Sequence, residues 1–298
     1  MLCKYGDPLC PCQDGDECHY EGKNPMMRPN EIATLQYWVR EREEIRILKD
    51  SHVRKPWTDD PILRSYKFCN VRREDDRVTK WMRVNWRHER YWDHPNFVPA
   101  MIFARTVNWP ATLSVLGFPL TWDPDRYLAV MDEIQAAGKK VYTGAYMITA
   151  GPTGVRKNAW VVGNAESYFS RPPMIWSTSI QRSWESVIAE KYPCVGPFIA
   201  GQVIADLKHT AYLKQAEDWM TWAAVGPGSA RGLNRIHGRD LKFPVGQEQG
   251  LKEMRAIRVT AKLEHLCLQD VQNCLCEFDK YMRVKLGQGK PRSGYQGA

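Results

Sequence analysis

No window of about 18 consecutive apolar residues occurs in this 298-residue chain, so no membrane-crossing helix is expected. No basic start followed by an apolar run opens it, so no secretory signal is expected either. The pattern G-x4-G-K-[ST] is absent, which removes the phosphate cradle that ATP-dependent phosphoryl transfer by a P-loop requires. Cysteines at C-x-x-C spacing are absent too. The nine cysteines form an odd set without an export signal, which argues for a reducing, cytoplasmic setting and against a disulfide framework. Acidic residues are in deficit: 34 Asp and Glu face 42 Lys and Arg, for a net charge of +8 and a pI of about 9.0. That balance favours an anionic partner, nucleic acid before an acidic membrane surface.

What is present is core-forming material. Hydrophobic residues make up 43% of the chain, enough for a substantial interior, and the patterning is mainly helical. The 12 Trp and 13 Tyr serve a core, and they are also the residues that stack on unpaired bases. Pro29-Asn30-Glu31 predicts a helix start with Asn30 as N-cap and Ile32, Leu35, Trp38 and Val39 as its buried face. The charged run from Arg40 to Lys49 reads as a solvated face. Val78, Trp81, Met82 and Trp86 predict a second helix. Residues 97–116 predict an apolar helix, a break at Trp109-Pro110 and another helix. Asp123-Pro124-Asp125 caps a helix closed by Gly138. Residues 139–148 read as a strand or a buried loop, and residues 248–283 as one long helical stretch carrying Leu263, Leu266, Val271, Leu275 and Phe278 on its apolar side.

Three regions are delimited. Residues 1–29 form a cysteine-rich arm in which Cys3, Cys10, Cys12, Cys18 and His19 lie among Pro, Gly and Asp. Thiolates there can close a structural zinc site, or pack as free thiols. Residues 30–284 carry the helical body, and 285–298 a Gly-rich, basic tail suited to lie along DNA.

Two glycine turns organise the body. Pro193-Cys194-Val195-Gly196-Pro197-Phe198 leads into an apolar helical run ending at Asp206 (hairpin 191–208). Gly226-Pro227-Gly228-Ser229 leads into Ala230-Arg231-Gly232-Leu233-Asn234-Arg235 (second turn 225–238). A glycine turn opening a helix points N–H groups outward, where they can hold a phosphate. Two further stretches are dense in functional side chains. In Phe68-Cys69-Asn70-Val71-Arg72-Arg73-Glu74-Asp75-Asp76-Arg77, the guanidinium forks of Arg72, Arg73 and Arg77 can clamp phosphates or tie helices together through ion pairs. In Cys276-Glu277-Phe278-Asp279-Lys280-Tyr281, Glu277 and Lys280 share a helix face as a proton shuttle, a phosphate hook or a plain ion pair.

The segments PCVGPFIAGQVIADL and VGPGSARGLNRIHG resemble the hairpin and following segment of the helix-hairpin-helix DNA glycosylase superfamily. Together with the 68–79 and 276–281 stretches they more closely resemble a phage-associated offshoot. That offshoot comprises the alpha-glutamyl/putrescinyl-thymine pyrophosphorylases, or amino acid:DNA transferases, and the helical domain attached to 5-hydroxymethyluracil DNA kinases. The resemblance implies a mainly α, glycosylase-like helical fold acting on double-stranded DNA in the cytoplasm of a phage-infected bacterium, with a separate kinase as a candidate partner. It also implies a monovalent cation at the hairpin as a candidate ligand. The implied chemistry extrudes a pyrophosphorylated 5-hydroxymethyluracil from the duplex and displaces pyrophosphate with an amino acid or polyamine, without a cofactor. On this reading Arg72, Arg73 and Lys280, with Asn70 and Arg77, hold the leaving group. Asp206 or Asp218 is the base, its acidity weakened by partial burial. Asn108 and Trp109 fill the void left by the base, and Gly196, Pro197, Phe198, Gly226, Gly228, Arg231 and Arg235 grip the DNA. Glycosylases carry a catalytic Asp where Gly226 stands here. Base excision and a non-catalytic DNA-binding module are the alternatives.

Overall fold

The computed structural model describes residues 27–144, 151 and 154–289, and among these every regular element is helical. Twelve α-helices run in order: α1 (Pro29–Asp50), α2 (Pro61–Ser65), α3 (Arg77–Asn85), α4 (Phe97–Val107), α5 (Pro110–Leu116), α6 (Pro124–Ala136), α7 (Lys157–Ser170), α8 (Ile180–Ala189), α9 (Pro197–Leu207), α10 (Pro227–Ile236), α11 (Gln247–Thr260) and α12 (Leu268–Lys285). A 3-10 turn, Arg73–Asp75, precedes α3. The candidate zinc residues Cys3, Cys10, Cys12, Cys18 and His19 lie outside the described residues, as does the tail beyond 289.

Proline punctuates this fold. Pro29, Pro61, Pro110, Pro124, Pro197 and Pro227 each open a helix, where the missing N–H costs no hydrogen bond and the fixed φ suits the first turn. The start of α1 therefore falls at Pro29 with Arg28 as N-cap, two residues before the Asn30 cap read from sequence. Its apolar face is the one read: Ile32, Leu35, Trp38 and Val39 are buried.

The helices form two groups. In one, α12 packs against α1, α2, α10 and α11. In the other, α4, buried at every position, packs against α5, α7 and α9. Helices α8 and α9 pack on each other across the short 190–196 connection, and the Trp184 indole N–H donates to the Pro197 carbonyl (3.2 Å), fastening the hairpin. Gly196, Pro197 and Phe198 stand exposed at its end.

Three sequence expectations change. Residues 248–283 are not one helix: α11 stops at Thr260, Lys262 adopts a left-handed backbone (φ 55°), and α12 begins at Leu268. Leu263 and Leu266 are buried as read, but from the connection. The charged 40–49 run is a solvated face only in part: Arg40, Glu44 and Lys49 are exposed, but Arg42 is buried and Arg46 pairs with Glu43, Asp50 and Asp75. Residues 139–144 form no strand.

Candidate active site

The segment 68–76 joins the two helix groups. Arg42 of α1 holds it from one side, donating to the carbonyls of Cys69 (3.1 Å) and Phe68 (3.4 Å) and to Asn70 Oδ1 (2.7 Å). Helix α12 holds it from the other. Asn273 donates to the Asn70 carbonyl (2.8 Å), Glu277 accepts the Cys69 N–H (3.0 Å), and Asp270 at the α12 N-terminus accepts the Arg73 N–H (3.0 Å). Within the segment, Asp76 Oδ1 accepts the Asn70 N–H (2.8 Å) and the Asn70 amide donates to the Asp75 carbonyl (2.8 Å). Asn70, Arg73, Asp76 and Thr79 recur every three residues along this polar stripe of the sequence.

Arg73 carries this stripe into the second helix group. Its guanidinium lies 3.8 Å from Asp206 Oδ1, while its Nε and Nη2 are buried without a hydrogen-bond partner among the described residues. Asp206, fully buried at the end of α9, is clamped by Arg105, whose Nε and Nη2 each donate to one carboxylate oxygen at 2.5 Å, and Arg87 lies 3.6 Å away. Arg87 in turn grips Glu74 with both terminal nitrogens. Burial alone would raise the Asp206 carboxyl; the guanidinia of Arg105, Arg73 and Arg87 outweigh it and hold Asp206 below the usual range. The base role read for Asp206 is thereby corrected, since a carboxylate locked in its ionised form by three arginines is a poor proton acceptor.

Asp218 receives a second correction. Its carboxylate accepts the N–H groups of Ile180 (2.7 Å) and Gln181 (2.9 Å) and the Ser179 hydroxyl (3.2 Å), so it caps α8. Asp76, to which the sequence reading gave no role, shifts the other way from Asp206. Burial pushes it up to about 6, against the downward pulls of the Asn70 N–H and Arg73. Cys69 and Cys276 are pushed up, the first chiefly by Glu277 and the second, to about 12, by burial, so both stay thiols.

The remaining residues separate. Arg72 turns from Arg73 and pairs with Glu43 (3.0 Å), so the two do not form one fork. Arg77 is exposed in the first turn of α3. The Lys280 ammonium is taken up by Glu277 (3.0 Å), the Lys67 carbonyl (2.5 Å) and the Phe68 ring (4.6 Å), which leaves little for a leaving group. Asn108 is buried in a left-handed C-cap (φ 46°) and accepts from Arg105 (3.0 Å), so it cannot enter a duplex; Trp109 beside it is half-buried. Arg231 and Arg235 both donate to buried Asp279 (2.8 and 2.7 Å), and Arg235 is itself buried. The Gly226 N–H donates to Ser229 Oγ (3.0 Å) rather than pointing outward. A Cβ on Gly228 would collide with Cys276, so this glycine serves the close approach of α10 to α12 rather than DNA. Among the described residues no group of three or more His, Cys, Asp or Glu is arranged to hold a metal ion.

Comparison with known proteins places this arrangement. A 5-hmdU DNA kinase of Bacillus phage SP10 is 27% identical over 267 residues, covering 76% of this chain and 41% of the relative. The chain thus spans about two fifths of that relative's length. No solved structure matches. The family model described as "5-hmdU DNA kinase, helical domain" matches residues 30–290, from the first turn of α1 to beyond α12. The chain belongs to the family of 5-hmdU DNA kinase helical domains.

Proposed function

We propose that this chain is a DNA hypermodification enzyme that acts on a 5-substituted thymine-type base and replaces a pyrophosphate leaving group with an amine. The similar phage protein is named as a kinase of 5-hmdU in DNA, and the product of such a kinase is a phosphorylated 5-hydroxymethyl group. This chain has no P-loop pattern, so consuming that activated group suits it better than making it.

The observation that carries the reading is the Arg73–Asp76 pair. Arg73 offers buried donors without hydrogen-bond partners among the described residues, and the Asp76 carboxyl, whose charge Arg73 feels, is pushed up to about 6 by burial. In the step, the amine nitrogen donates its lone pair to the base's 5-methylene carbon and a C–N bond forms. The C–O bond breaks, and pyrophosphate departs with that electron pair onto the Arg73 guanidinium. Asp76 takes the proton the nitrogen sheds. A charge-assisted guanidinium–phosphate contact in a site shielded from water is strong because both partners are pre-oriented. Asp206, with Arg105 and Arg87, fixes the direction of Arg73 rather than touching substrate. The basic chain and the exposed Gly196-Pro197-Phe198 hairpin end supply the duplex contact, and the target base leaves the stack to reach the site.

Incubating the protein with duplex DNA carrying 5-pyrophosphoryloxymethyl-uracil and a mixture of amines, then analysing nucleosides by mass spectrometry, tests this. An amine adduct lost in Arg73→Gln and in Asp76→Asn supports the reading. Abasic sites would instead mark a glycosylase, and unchanged DNA bound tightly a non-catalytic module.

A further inference from the structure

Lys208 is a buried amine that the site described above does not use. It caps the end of α9 and is 1% exposed. Its ammonium donates to Cys267 Sγ (3.4 Å) and lies over the Trp219 ring (4.3 Å), and among the described residues no carboxylate stands at ion-pair distance from it. A buried ammonium ordinarily has a carboxylate beside it, because burying an uncompensated charge is costly. Cys267 is the N-cap of α12 and is itself buried. Its thiol donates to Asp270 Oδ2 (3.2 Å), so the sulfur touches both the amine and the acid. The other Asp270 oxygen accepts the Arg73 N–H (3.0 Å), and the Arg73 guanidinium faces Asp206, two residues before Lys208. The Lys208–Cys267 contact therefore spans the two helix groups beside both anchors of Arg73.

We propose that Lys208 and Cys267 are a covalent modification site, joined under peroxide by a reversible S–N bond that ties the end of α9 to the start of α12. In the first step the Cys267 sulfur attacks one oxygen of hydrogen peroxide and the O–O bond breaks. The thiol is oxidised to a sulfenic acid, and the peroxide is reduced to water. In the second step Lys208, having released one ammonium proton to water, donates its nitrogen lone pair to that sulfur. The S–O bond breaks, hydroxide leaves and takes a further N–H proton as water, and the S–N bond remains. Two equivalents of a thiol reductant return the amine and the thiol and become a disulfide themselves. Burial and the Asp270 charge hold the thiol above its ordinary range, against the pull of Lys208, so the first step follows sustained rather than brief exposure. On the transferase reading the link regulates that site, since it draws together the two chain ends that carry Asp206 and Asp270 and so moves the anchors of Arg73.

The test is peptide mass spectrometry on the full chain after treatment with hydrogen peroxide. The expected species joins the peptides carrying Lys208 and Cys267, is lighter by two hydrogens than their sum, and is lost on adding dithiothreitol. Cys267→Ser should not form it. Lys208→Arg, which keeps the charge, should not form it either and should carry Cys267 as sulfenic or sulfinic acid, with an unchanged circular dichroism spectrum. Three results would overturn the proposal: Cys267 oxidised to sulfinic acid in the unsubstituted chain with no link, Cys267 untouched while the exposed Met174 is oxidised, or a linked species that persists in Cys267→Ser. The turnover assay separates the link from the transferase reading. The linked protein should turn over several-fold more slowly and recover with dithiothreitol, and Cys267→Ser should keep its rate through the same treatment; an equal loss in Cys267→Ser would end the regulatory role. No adduct from untreated protein ends the transferase reading, and the masses alone then decide the link.

Discussion

Asp76 and Asp206 are both removed from water, yet their neighbours drive them in opposite directions. Asp206 has three guanidinia around it; Asp76 has one backbone N–H, with the pull of Arg73 and Arg42 opposed by Glu277. The consequences for pH have opposite signs. Asp76 has a raised folded value, so its contribution to stability is fully present below its unfolded value and is lost as pH rises through about 6. Its competence as a base grows over the same interval. Turnover should therefore rise with pH through about 6, and Asp76→Asn should remove that step and lower the rate about 100-fold or more while DNA binding holds. Rate–pH profiles of the two proteins, beside a filter-binding assay, check this. Asp206 is depressed, so its stabilisation is present above its unfolded value and is lost as pH falls through the folded one. Asp206→Asn leaves three arginines facing a neutral amide and should cost about 3–5 kcal/mol in urea unfolding, the scale seen when one partner of a buried ion pair is removed. The motif stretches that hold these residues were legible from their density of polar side chains. Which carboxylate does what was not, because the arginines around Asp206 come from the 3-10 turn before α3, from the chain just after α3 and from α4, and sequence spacing cannot show that they converge.

At the scale of elements, helices beginning at proline were the easiest to read, and α1, α4, α5, α6, α9 and α10 stand close to where sequence put them. The break between α11 and α12 was invisible, because residues 261–267 contain neither Gly nor Pro and the turn is made by Lys262 in a left-handed conformation. The 40–49 run misled for a related reason. Its charges look solvated until the 68–76 segment, about thirty residues away, folds onto them. Gly228 of α10 likewise looked like a phosphate ligand, but both glycines of α10 mark helix contact. A Cβ at Gly232 would strike the Leu275 backbone carbonyl, whereas one at Gly228 would strike mainly the Cys276 side chain. Gly232→Ala should thus destabilise by about 1–3 kcal/mol with no side-chain remedy, and Gly228→Ala should recover part of a similar loss when combined with Cys276→Ala. Thermal melts of the three proteins compare them.

For the whole molecule, on the proposed function, the surplus of 42 basic over 34 acidic residues sets how it would meet DNA. Affinity for duplex should fall log-linearly with salt, with a slope near −0.9 for each phosphate neutralised, and it should do so equally in Asp76→Asn, whose defect is chemical. Grip on DNA and chemistry are in this way separable, and the chemistry is the central claim. The most direct measurement is the mass of the nucleosides released from 5-pyrophosphoryloxymethyl-uracil DNA after incubation with the protein and a mixture of amino acids and polyamines. A nucleoside heavier by one amine and lacking the pyrophosphate, absent with Asp76→Asn, is the predicted result. Substrate DNA recovered intact after tight binding, or recovered with abasic sites, would contradict the account.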